Sequence, residues 1–167
     1  MTEKLTRVER LILRNQYAIL EALESEYSNK EFLLALDNGY TKEIEEFLDS
    51  SVSEELPISV CTEVWSILDM FRALNNSYDR LEDKTDISVK EIQFEGFDAN
   101  NDSHYGYMNY VLSDRGRYDE SMPMNSHCQA TLPMYRRMLS VWESFDKPVN
   151  LNSEQIKSII GVKFVAV

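Results

Sequence analysis

The residues best equipped for chemistry lie between Ile92 and Tyr118, where IQFEGFDANNDSHYGYMNYVLSDRGRY gathers aromatic rings, carboxylates, one of the two histidines and two arginines. Asp98, Tyr105 and Arg117 within it, and His127 just beyond it, are the candidate functional side chains. A small hydrolase or ribonuclease would use Asp98, Arg117 and His127. That reading requires the three to converge in one pocket. No complete nucleophile, metal or phosphate-binding pattern accompanies them, so no catalytic residue is assigned.

Each partial motif stops short. Asp98 to His104 begins like a calcium loop, but the sixth position is Ser103 where the turn needs Gly, and the twelfth is Asn109 where a bidentate Glu belongs. Asp98, His104 and His127 have donor types that suit a divalent transition metal, yet no paired-His spacing supports a centre. Neither histidine has an arginine one helical turn away, which weakens the ribonuclease reading. His127 adjoins Cys128, but neighbours in a chain seldom face one reactant, and no activating context is readable. No metal and no cofactor are expected.

Composition narrows the classes. A chain of 167 residues fits one domain, able to bury roughly two thirds of its unfolded surface without staples. Its two cysteines, Cys61 and Cys128, are far apart and read as reduced thiols of a cytoplasmic protein. No apolar run reaches the ~18 residues of a membrane span, and the N-terminus does not form a signal-peptide core. A net charge of −12 opposes both nucleic acid and anionic membranes as partners.

The elements that must position the candidate side chains are mostly helices. Thr6 to Glu9 has capping-box form, opening a helix over about 7–24 with apolar residues at Val8, Ile12, Ile19 and Leu23. Leu11, Leu13, Tyr17 and Leu20 widen that face until the amides of Asn15 and Gln16 are enclosed, which makes these two a structural hydrogen-bonding pair or part of a site. Asn29 caps a short helix ended by Asp37-Asn38-Gly39, and Thr41 caps another. Pro57 opens the long central helix, whose seam Val60, Val64, Ile67, Phe71, Leu74, Tyr78 and Leu81 follows steps of four and three. Residues 88–95 lack a helical stripe and read as a short extended segment ended by Gly96. Asn101 caps a helix carrying Tyr105, Met108 and Leu112. A long loop, 117–131, holds His127. Thr131 and Pro133 open a helix with Leu132, Tyr135, Met138, Leu139 and Trp142 inward; Asn152 to Gln155 is a second capping box; the tail VKFVAV is β-prone. The expected fold is mainly α, a single compact multi-helix domain spanning 1–167 with a long central helix and at most a small β element.

Four blocks carry a family resemblance: Arg10 to Tyr17 (RLILRNQY), Phe94 to Ala99 (FEGFDA) followed by Tyr105, Gly116-Arg117-Tyr118, and Tyr135 to Trp142 (YRRMLSVW). Together they resemble the YfbU family of small bacterial proteins over about residues 6–160, with 161–167 as an apolar tail. The resemblance implies a helical cytoplasmic domain and brings no established activity. The expectation is an acidic helical protein acting through self-association, as a homodimer, and through a protein partner. Its interface is expected on the helix from Pro57 to Leu81 or on the C-terminal tail.

Overall fold

The computed structural model describes residues 4–118, 122, 126–127 by backbone alone, and 130–163. Chain contacts divide into two compact units, Met1–Glu55 and Leu56–Val167.

The first unit is three helices, α1 (Arg7–Ala22), α2 (Lys30–Asn38) and α3 (Thr41–Ser51). Thr6 and Glu9 form the reciprocal capping box that starts α1, and the Asn29 side chain accepts from the Phe32 N–H to start α2. Gly39 ends α2 in the left-handed conformation, φ 71°, where a side chain would be strained. Thr41 does not cap α3: Tyr40 occupies the cap position without a side-chain bond, and α3 runs to Ser51. The core is Phe32, Ala35, Leu36 and Ile44, flanked by Leu5, Leu13, Tyr17, Phe47 and Leu48. Phe32 stacks on Phe47 at 3.9 Å, and Tyr17 meets Phe32 edge-on at 4.9 Å.

The second unit is built on α4 (Ile58–Arg80), with Pro57 at its N-cap. Val64, Ile67, Phe71 and Leu74 of the four-and-three seam are wholly buried in this unit, so those positions serve its own core and are closed to a second chain. Residues 89–92 are a helical turn, α5 (Val89–Ile92), where an extended segment was expected. Ser88 and Glu91 bond reciprocally as a capping box, and that local pairing outweighs the β-prone side chains. The β element lies further on: β1 (Phe97–Asp98) pairs in parallel with β2 (Ser126–His127).

Helix α6 (His104–Asn109) begins at Ser103 rather than Asn101, and runs on as a π-turn over Tyr110–Asp114. Helices α7 (Leu132–Ser144) and α8 (Ser153–Gly161) complete the unit, the latter started by the Asn152/Gln155 capping box and capped at Val162. Phe71, Phe94, Phe97 and Tyr135 form one aromatic cluster, with neighbouring centroids 5.1–5.7 Å apart. Four residues of the tail, 164–167, lie outside the described residues. Among the described residues no helix is long and apolar enough to cross a membrane.

Candidate interaction face and polar clusters

Gly96, at φ 92°, turns the chain out of the aromatic cluster and into β1. Its carbonyl accepts from the Thr131 hydroxyl at 3.0 Å and from Tyr135 Oη at 3.1 Å, while the Glu95 N–H donates to Tyr135 Oη at 3.0 Å. Burial pushes the Tyr135 phenol far above its ordinary range, so it stays a neutral structural group. This clamp fixes where Asp98 emerges.

Asp98 is 4% exposed. One carboxylate oxygen accepts from the Asn100 N–H at 2.9 Å, the Asx-turn geometry, and the other from Asn101 Nδ2 at 2.7 Å. The Asp98 N–H reaches Asp102 at 3.3 Å, and the Asp102 N–H returns to the Asp98 carbonyl at 2.9 Å. Both oxygens are thus engaged in closing a turn rather than converging with neighbours on a cation. Among the described residues no group of three acidic, His or Cys side chains could hold a metal.

Of the sequence candidates, the fold brings two together along the backbone: Asp98 and His127 are register partners across the β pair. The His127 side chain and Cys128 lie outside the described residues. Arg117 is exposed beyond the π-turn, its N–H bonded to the Val111 carbonyl at 3.2 Å. Tyr105 is half-buried on α6 against the core. Asn15 and Gln16 are not enclosed; both are exposed on α1.

Two polar clusters were not legible as such in the sequence. Glu63 on α4 takes Arg136 from α7 in a fork, Nε to Oε1 at 2.7 Å and Nη2 to Oε2 at 2.9 Å, and the buried His104 ring at 2.8 Å through Nε2. The Arg136 bonds hold the Glu63 carboxyl below its ordinary range against the opposing effect of burial, and His104 adds to the lowering. An open groove of about 680 Å³ lies beside this cluster, lined by Ser59, Thr62, Ser66, Ser140 and Lys147 among others. Glu63 and Arg136 are 73 residues apart, so no spacing rule could pair them. In the second cluster Tyr118 is strained at φ 61° and donates to Asp69 at 2.5 Å, with the Arg72 guanidinium 5.2 Å from its ring.

The most conspicuous surface feature is on α1. Val8, Leu11, Ile12, Ile19 and Leu23 are each 52–71% exposed. At about 100° per residue they fall on one arc of the helix, whereas Leu13 and Tyr17 fall on the opposite arc and pack against α2 and α3. The sequence reading merged these into one wide face. They are two, and the one named first is open to solvent.

Comparison with known proteins agrees with the four sequence blocks. The family model described as the YfbU domain matches residues 3–161. The UPF0304 protein PM1500 of Pasteurella multocida (strain Pm70) is 32% identical over 167 residues, covering 95% of this chain and 99% of its own. The UPF0304 protein MS2240 of Mannheimia succiniciproducens is 32% identical over 166 residues, with the same coverage.

Proposed function

Because this chain belongs to the YfbU family, and that membership carries a helical fold rather than a reaction, we propose that it acts by assembly: a cytoplasmic protein that associates with itself as a homodimer and engages a protein partner, without a cofactor. The observation that carries the reading is the open apolar face of α1, since contiguous apolar surface on a water-soluble fold marks a contact site more often than isolated exposed residues do. The polar clusters support it from the other side. Glu63, His104 and Arg136 satisfy one another, and the Asp98 carboxylate closes its own turn, so both have structural work already. Light scattering of the full chain at tens of micromolar should give a dimer or larger mass, and native co-purification with mass spectrometry should return a protein in fixed ratio. A monomer mass together with no such protein would overturn the proposal.

A second reading, a small hydrolase or ribonuclease around Asp98, Arg117 and His127, draws on one observation, the strand register that sets Asp98 opposite His127. Its check is turnover of generic ester and phosphodiester substrates by the purified chain. Activity abolished by both Asp98→Asn and His127→Ala would favour it; no turnover above buffer would end it.

A further inference from the structure

We infer that the open face of α1 is closed by the same face of α1 from a second copy, running antiparallel about a two-fold axis that passes between Asn15 and Gln16. This rests on the self-association proposed above and names its surface and geometry.

The inward arc is already fixed. Tyr17 packs on Phe32 and Phe47, and Arg14 Nε bonds Asp37 on α2 at 2.8 Å, so α1 cannot roll to bury its outer arc on its own three-helix unit. What remains outside is symmetric in a particular way. Val8 stands as far before the Asn15–Gln16 midpoint as Leu23 stands after it, and Ile12 as far before as Ile19 after. A second α1 laid antiparallel across that midpoint therefore sets Val8 against Leu23 of the second copy, Ile12 against Ile19 of the second copy, and Asn15 against Gln16 of the second copy. Apolar side chains meet only apolar ones. Each amide meets an amide, and since Asn and Gln each carry a donor and an acceptor, the pairs can bond reciprocally. A register slipped by four residues would place those amides against Ile12 and Leu11 or against Leu20 and Ile19, so the polar centre selects this alignment, as a lone polar residue does in a helical seam.

Charge selects the direction. Arg7, Arg10 and Arg14 lie in the first half of α1, with Asp37 bonded to Arg14 and with Glu45 and Asp49 lining the same pocket as Arg10. Glu21, Glu24 and Glu26 lie in or just beyond the second half, with Lys30 bonded to Glu21. An antiparallel pair puts the basic end on the acidic end and opposes the helix dipoles; a parallel pair would set like ends together.

The test uses the full chain. In a Cys61→Ser/Cys128→Ser background, Ile12→Cys mixed with Ile19→Cys should form a disulfide-linked mixed dimer under mild oxidation, while neither variant alone should link efficiently. Links within each variant alone would mean a parallel pair and overturn the geometry. In the otherwise unchanged chain, Ile12→Glu should raise the dimer Kd about a hundredfold, the usual scale for a charge forced against an apolar partner, with helical circular dichroism unchanged because residue 12 is half-exposed in the single chain. A wild-type oligomer whose mass Ile12→Glu leaves intact overturns the α1 contact while sparing self-association; a wild-type monomer removes both. Protection of residues 12 and 19 from thiol labelling in a monomer would assign the face to residues 56–167 of the same chain and equally overturn the pairing.

Discussion

At the scale of single residues, the buried carboxylate of Asp98 shapes the backbone and the half-buried one of Glu63 ties helices. Asp98 holds the turn after β1 through the Asn100 N–H and the Asn101 amide. Asp98→Ala should lower stability by about 0.5–2 kcal/mol, the range for losing an equivalent capping acceptor, whereas Asp98→Asn should keep much of it because an amide oxygen can still accept. Thermal unfolding of the two variants measures this, and equal stability in both would contradict the turn assignment. Glu63 bears the pH dependence. Its folded-state carboxyl lies below the ordinary 4.5, so its contribution is complete above that value and is lost as pH falls from there through the lowered one. Glu63→Gln should cost about 1–3 kcal/mol near neutrality, by weakening the Arg136 fork and the acceptor for buried His104, and the gap from wild type should close on acidification. Urea midpoints measured across that pH range test the sign.

At the scale of elements, the short connections owe their form to backbone chemistry. Gly39 ends α2 at φ 71°, and a Cβ there would sit 2.4 Å from an Arg10 guanidinium nitrogen. The guanidinium is the far end of a flexible side chain and can move, so the left-handed backbone is the larger penalty. Gly39→Ala should destabilise the α1–α3 unit by about 1–2 kcal/mol, measurable by chemical denaturation followed by its helical signal. The π-turn after α6 and the strained Tyr118 are adjacent to the second polar cluster, and burial followed by the Asp69 bond pushes the Tyr118 phenol well above its usual range. That phenol should remain protonated at any pH the fold survives, and ultraviolet titration of the wild type against Tyr118→Phe should show no difference near the ordinary tyrosine midpoint.

At the scale of the whole chain, the two units have unequal cores. Among the described residues, four buried apolar side chains anchor Met1–Glu55, against twenty-three in the main cluster of Leu56–Val167. A unit of about 55 residues is marginal by area alone. Amide hydrogen exchange should therefore be faster across α1–α3 than across α4 and α7, and protection of α1 should rise with protein concentration if pairing closes its outer face. The net charge of −12 predicts no measurable binding of a generic duplex or single-stranded oligonucleotide at physiological salt, with fluorescence anisotropy as the check.

What the sequence determined by itself was local. Helix periodicity, the Thr6, Asn29 and Asn152 caps, the Gly39 stop and the apolar seam of α4 all depend on residues within a few positions of one another. The same locality governs Val89–Ile92, where a four-residue capping box outweighs β propensity. Long-range partnerships were decided only by the tertiary structure: the Glu63 fork to Arg136, the Gly96 clamp by Thr131 and Tyr135, and the pairing of Asp98 with His127 join positions 29–73 residues apart. The two faces of α1 belong to the same category. Periodicity places Val8, Ile12, Ile19 and Leu23 on one stripe, but which stripe is buried depends on what α2 and α3 offer, and they offer Phe32 and Phe47 to Tyr17. A helix sequence encodes where its apolar arcs lie; only the packing of its neighbours decides which arc is left open.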